Sequence, residues 1–239
     1  ILWGAKSLIG NIALPTARFE LAKKLITQEL EGQGGDAGLR LIDFMGLKYV
    51  TVQESLKGSG FIETYYDQIL DVRIVKNQYA YPRFQIFNKA IAVNDYYQAI
   101  KTIRKLKERT LIIESEKILA PLTIAIHKDN SHIDTIRFTL ITDTPTHYQL
   151  EIDAPKAGWL LLADSHYPGW KAYIDGEETV LYAGQVLGKS VQLPAGQYLL
   201  TFKYQPQSFQ LGLVISLTFL TILTLVFGYR IIIKLISTR

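Results

Sequence analysis

The sequence predicts an α+β protein: a mixed α/β N-terminal part, an all-β, jelly-roll-like sandwich, and one transmembrane α-helix at the C-terminal end. Three observations predict it. Up to about residue 117, stretches with helical periodicity alternate with short apolar runs. From 118 to 206 the chain reads as short apolar or alternating runs separated by turn residues, the spacing of a β-sandwich. From Leu211 to Tyr229 there is no Asp, Glu, Lys or Arg. The expected units are therefore 1–117, 118–206 and 207–236.

Within the first unit, Thr16 is placed to cap a helix over Ala17–Glu31. Ala17, Leu21 and Leu25, with Ala22, Ile26 and Leu30, recur at helical spacing, and Gly32 ends it. Gly32–Gly35 reads as a loop. A short helix over Leu39–Met45 should stop at Gly46. LKYVTV (47–52) reads as a buried strand, with further strands at VRIV (72–75) and FQIF (84–87). Asn94 or Asp95 caps a second long helix running to about Lys107. Its basic end (Arg104, Lys105, Lys107, Arg109) suits the negative pole of the helix dipole. That cluster reads as a solvated helix end, with anionic lipid heads as the alternative partner.

In the second unit the strand segments are LTIAIHKD, HIDTIRFTLITD, HYQLEID, GWLLLAD, WKAYIDG, SVQLP and QYLLTFKY. Asp175-Gly176 is a two-residue hairpin turn, because Gly tolerates the positive φ required. Pro194-Ala195-Gly196 turns the chain into the last strand, which runs through Pro206 into the apolar segment. Nineteen helical residues rise about 28 Å, matching the hydrocarbon core of a bilayer. Ser216, Thr218, Thr221 and Thr224 are tolerated there because their hydroxyls bond back to the helix backbone. Arg230, Lys234 and Arg239 follow, which orients the C-terminus to the cytoplasm and the bulk of the chain to the extracytoplasmic side of the cell membrane.

The charge balance follows from this tail. The chain carries 26 Lys and Arg against 22 Asp and Glu, net +4. Five of those cations lie beyond residue 188, where there is no acid, so the preceding part is close to neutral. The basic pI thus points to a membrane anchor, and there is no basic surface for nucleic acid. The absence of cysteine excludes disulfides and thiol chemistry, so the fold rests on its core. ILWGAKSLIGNIALP lacks the basic and long apolar regions of a signal peptide, so the chain is expected to be the C-terminal piece of a longer membrane protein.

The densest chemical cluster is ADSHYPGWKAYIDG (163–176). The exposed rings of Tyr167, Trp170 and Tyr173, with Trp159 nearby, would stack on sugar faces while Asp164 and His166 take hydroxyls. The structural alternative is the stronger: Pro168-Gly169 turns the chain, Trp170 plugs the sandwich and Asp175 belongs to the hairpin. Asp164 and Asp175 make a weak acid/base pair, since sequence spacing does not place carboxylates across a substrate. His127, His132, His147 and His166 match no metal-ligand spacing. No nucleophile elbow, P-loop or dinucleotide fingerprint occurs, so no catalytic residue, metal or cofactor is assigned.

Several phrases occur in an order that resembles YfhO-like bacterial integral membrane proteins. LADSHYPGWKAYIDG matches that family's D-x-x-Y-P-G-W-K-x-x-x-D-G at Asp164, Tyr167, Pro168, Gly169, Trp170, Lys171, Asp175 and Gly176. LPAGQY and YQPQSFQLG match its following turn and the approach to its last span, at Leu193–Gly196, Tyr204, Pro206, Ser208, Phe209 and Gly212. Upstream, LIDFMGLKYVTV, RIVKNQYAYPRFQIF (with Asn77, Pro82 and Arg83) and RTLIIESE are similar to its earlier strands. The resemblance implies a polytopic relative of GT-C glycosyltransferases. Such enzymes transfer a sugar from a polyprenyl-phosphate carrier to a cell-envelope polymer, lipoteichoic acid in the best-known case. Their catalytic acids lie near the start of the transmembrane bundle, so the resemblance assigns none here. The implied partners are the bilayer, the upstream bundle, the lipid-linked sugar and the wall polymer. This chain would be a lid or acceptor-binding domain. A non-catalytic, membrane-anchored carbohydrate-binding or scaffold protein is the competing reading.

Overall fold

The computed structural model describes residues 17–30, 37–53, 60–103, 105–106, 109–115 and 135–237. The architecture is α+β, with a β-sandwich and a C-terminal helix apolar enough to span a membrane. The helices are α1 (Ala17–Leu30), α2 (Ala37–Phe44), α3 (Tyr96–Ile103) and α4 (Gln207–Ser237). A six-stranded sheet runs in the order β4 (Phe84–Phe87), β9 (Gly158–Leu162), β13 (Gly188–Leu193), β12 (Tyr182–Gly184), β6 (Leu111–Glu114), β5 (Ala90–Val93). A five-stranded sheet runs β11 (Glu177–Thr179), β10 (Trp170–Ile174), β14 (Gly196–Tyr204), β8 (His147–Ala154), β7 (Arg137–Thr144). A small sheet orders β1 (Tyr49–Val52), β3 (Val72–Asn77), β2 (Phe61–Asp67). Every pairing is antiparallel except β5–β6, which α3 connects as a βαβ unit.

The six-stranded sheet is the middle of three layers. All five residues of β9 are buried, because both faces of the strand are covered. Trp159 and Leu161 point toward the helices and join Phe19, Ile26, Ile42 and Ile103. Leu160 and Leu162 point the other way, with Val191 and Leu193, onto Leu150, Ile152, Leu200 and Phe202 of the five-stranded sheet. The change of composition near 117 is not a break in this sheet: β4, β5 and β6 precede it, and β9, β12 and β13 follow it.

Local chemistry fixes the ends of these elements. Gly46 ends α2 in the left-handed conformation (φ 67°), with Gly46 N–H donating to Asp43 and Leu47 N–H to Ile42, the paired bonds of a Schellman cap. The Asp95 carboxylate accepts from Gln98 N–H at 2.8 Å and caps α3. That helix ends at Ile103, about a turn earlier than its periodicity suggests, and Lys105–Leu106 continue as a turn and coil. Asp175 (φ 48°) and Gly176 (φ 90°) form the two-residue turn between β10 and β11. LKYVTV is corrected from a buried strand to the half-exposed edge of the small sheet, with Tyr49 outward, because β1 pairs on one side only, with β3. Thr16, Gly32–Gly35 and LTIAIHKD lie outside the described residues.

Two residues, Gln205 and Pro206, separate β14 from α4. The candidate span within α4 covers Gln207–Arg230. Thr218 and Thr221 donate their hydroxyls to the carbonyls of Val214 and Leu217 at 2.8 Å, the back-bonding that makes them compatible with lipid.

Candidate functional site

The sandwich end next to α4 holds a connected polar and aromatic cluster, built on the C-terminal end of β9. Phe84 pairs with Leu162, so Arg83 stands opposite Ala163, whose N–H its carbonyl accepts at 2.8 Å, and next to Asp164 just past β9. Arg83 donates from Nε to Asp164 Oδ1 at 2.8 Å and from Nη2 to Oδ2 at 2.5 Å, a bidentate pair. Its Nη1 reaches Asp143 Oδ1 of β7 at 2.8 Å, and its guanidinium lies over the Tyr148 ring, 4.7 Å from the centroid. On the other side of β9, Lys189 pairs with Leu162 and donates from Nζ to the Ser165 carbonyl at 3.1 Å. Lys189 is 1% exposed, its ammonium 4.2 Å from the centroid of the Trp170 ring. Trp170 in turn stacks on Tyr148 at 5.4 Å and leans on Tyr204.

The electrostatics follow from this packing. Burial raises the Asp164 carboxyl, but the Arg83 hydrogen bonds and the nearby Lys189 and Arg83 charges outweigh it and hold the group below its usual range. Burial opposes the Arg83 charge too, and its two carboxylate partners more than restore it. Desolvation brings the Lys189 ammonium down to about 8, with Asp164 opposing and Arg83 adding to the fall. The Tyr148 hydroxyl is pushed up to about 12 by burial and by the Asp164 charge. His166 is lowered to about 4 by burial, then by the charges of Arg18 and Lys189. Among the described residues its Nδ1 has no hydrogen-bond partner, while its backbone N–H donates to the Leu187 carbonyl at 2.6 Å. Both Asp164 oxygens are engaged by Arg83, so the carboxylate is a lock between β4 and β9, poorly suited to act as a base.

The sequence-predicted residues separate. Trp159 is 2% exposed and faces the helices, on the opposite side of β9 from the layer that Trp170 packs against. It therefore presents no ring to a glycan, and its place in a sugar platform is corrected to a core role. Trp170 is half-buried between Tyr148 and Lys189. Tyr173 donates its hydroxyl to Gln205 Oε1 at 3.0 Å. Tyr167 is exposed. Asp164 and Asp175 stand at opposite ends of this region: the Asp175 carboxylate accepts from Leu199 N–H at the far turn. The sequence reading did not single out Tyr148 and Lys189. The signal for Lys189 was present, since the period of two that turns Val191 and Leu193 inward turns Lys189 inward as well.

A bracket joins this cluster to α4. Gln205 N–H donates to the Gly169 carbonyl at 2.6 Å, and Tyr204 N–H to the Thr146 carbonyl at 2.9 Å. Gly169 (φ 105°) packs so closely on Pro206 that a Cβ there would lie 2.8 Å from Pro206 Cα. The Pro-Gly-Trp turn thus holds the chain where it leaves the sheet.

A separate open groove of about 460 Å³ is lined by Arg137, Thr139, Glu151, Asp153, Gln197 and Tyr198, among others, toward the other end of the five-stranded sheet. Arg137 pairs with Asp153 there at 2.5 Å. No predicted site residue lines it. Among the described residues no group of three His, Cys, Asp or Glu gathers to hold a metal. Comparison with family models, curated proteins and solved structures finds no match to this chain.

Proposed function

We propose that this chain is the extracytoplasmic C-terminal region, with the last span, of a polytopic membrane protein of the YfhO-like, GT-C-related kind. It serves the glycosylation of a cell-envelope polymer from a polyprenyl-phosphate-linked sugar. The module acts as a lid or acceptor-holding domain without catalytic residues, and the chemistry belongs to the upstream membrane bundle. One observation carries this reading. Three segments that bear the resemblance, far apart in sequence, meet at the base of α4: Arg83 grips Asp164, Trp170 packs on Tyr204, and Gly169 packs on Pro206. A module bracketed to a span in this way is held at a membrane surface, where a lipid-linked sugar is consumed. Deleting residues 10–200 in the whole protein should abolish sugar transfer to the polymer while the bundle and α4 still insert. Unchanged transfer would overturn the proposal.

The second reading, a non-catalytic anchored carbohydrate-binding or scaffold protein, is favoured by the groove at Arg137–Asp153. Its carboxylates, amide and Tyr198 ring suit a polyol. Under that reading Glu151→Ala and Gln197→Ala weaken retention on the isolated wall polymer, and no sugar transfer accompanies the protein.

A further inference from the structure

We infer that one end of the five-stranded sheet, the end carrying Thr146, the 167–171 turn and Val180, seats directly on the bilayer surface with phospholipid headgroups as its partner. The inference rests on α4 crossing the membrane. The Gln207–Arg230 segment begins two residues after β14, so the headgroup level lies within about a helical turn of Gln207. Those two residues give no slack. Gln205 is held by the Gly169 carbonyl and by the Tyr173 hydroxyl, and Pro206 lies against Gly169. Tyr204 is tied to Thr146 and packed on Trp170. The end of the sheet is therefore carried to the interface with the helix.

The register identifies what else is at that end. Lys203 pairs with His147 and with Lys171, and Ala172 pairs with Thr179, so the turn after β7, the start of β10 and the chain leaving β11 all lie there. The exposed large hydrophobic residues at that end are Tyr167, of the type enriched at headgroup depth, and the apolar Val180 (60% exposed) and Phe209 on the first turn of α4 (68% exposed). Lys203 stands beside them, exposed, and suits phosphate, while Lys171 is paired with Glu178 at 2.7 Å. The opposite end, at Pro194–Gly196, is separated by nine residues of β14, about 27 Å of strand. The sheet thus stands upright on the membrane, with the Arg137–Asp153 groove held roughly 20 Å above it.

The chain has no cysteine, so single cysteines can be placed cleanly. Val180→Cys, Thr146→Cys, Ala195→Cys and Leu220→Cys are each labelled with an environment-sensitive fluorophore. The 239-residue chain is then reconstituted in phosphatidylcholine–phosphatidylglycerol vesicles. Acyl-chain nitroxide lipid should quench the label at 220. Headgroup nitroxide lipid should quench the labels at 180 and 146 at least twofold more than the label at 195. If the label at 220 escapes quenching, the span reading fails. If it is quenched while 180 and 146 are quenched no more than 195, the seating is overturned and the span stands.

Discussion

Arg83 and Asp164 are each about one-quarter exposed, between the surface pairs that contribute almost nothing and the buried pairs whose rupture costs several kcal/mol. Arg83→Ala leaves Asp164 and Asp143 without their shared cation and should cost about 2–3 kcal/mol, read from the urea midpoint in detergent. Asp164→Asn keeps a hydrogen-bond acceptor and removes the charge, so it should cost less. Equal losses would show that the charge carries the whole effect and the hydrogen bonds add nothing. His166 supplies a pH dependence of definite sign. Its folded value, about 4, lies below the ordinary 6.5, so the unfolded chain takes up the proton first. Stability is full above pH 6.5 and is lost as pH falls toward 4, by up to about 3 kcal/mol. His166→Asn should flatten the midpoint between pH 6.5 and 4. Asp164, lowered below the usual carboxylate range, acts only at the acid end of that window. An unchanged slope in the His166 variant would remove this assignment. At this scale the sequence drew attention to Asp164, His166 and Trp170 because they sit within one short phrase. The partners that decide their roles, Arg83 just before β4, Tyr148 of β8 and Lys189 of β13, arrive from distant parts of the chain, and no local pattern joins them.

Two glycines separate backbone strain from close packing. Gly176 (φ 90°) has open space around its would-be Cβ, so Gly176→Ala carries only the cost of a left-handed turn residue, about 1–2 kcal/mol. Gly169→Ala adds contact with the Pro206 backbone at 2.8 Å, which cannot yield without moving the chain at the head of α4. Its cost should exceed that of Gly176→Ala, and it should open the Gln205–Pro206 stretch to added protease. Equal costs and equal protection would mean that the bracket is not tight. Helices and turns were the legible elements, since caps such as Asp95, Gly46 and Asp175-Gly176 act within a few residues. β2 was not legible. A bulge between Glu63 and Tyr65 breaks its alternation, and as an edge strand it leaves Ile62, Tyr65 and Tyr66 exposed. LKYVTV misled for the same reason, as an apolar strand is expected to be covered and this one is an edge.

Across the whole molecule, strands could be read in chain order, but their assignment to sheets could not. GWLLL reads as an apolar run, and only the fold explains that its alternate residues serve two separate cores. Because β9 is shared, the helical layer and the sandwich should lose structure together. In rising urea, with α4 held in detergent, hydrogen exchange should show amides of Leu111–Glu114 and of His147–Ala154 losing protection at one midpoint. Leu161→Ala removes contacts only on the helix side of β9 and should cost about 2–5 kcal/mol. The decisive feature is that it should lower both midpoints equally, since the strand it weakens also backs Leu150 and Phe202 through Leu160 and Leu162. If His147–Ala154 kept its midpoint while Leu111–Glu114 fell, the sandwich would stand alone, and the composition change near 117 would mark a true domain boundary. If both fall together, the chain from α1 to β14 is one cooperative body, and what is bracketed to α4 at Gly169 and Pro206 is the entire layered module.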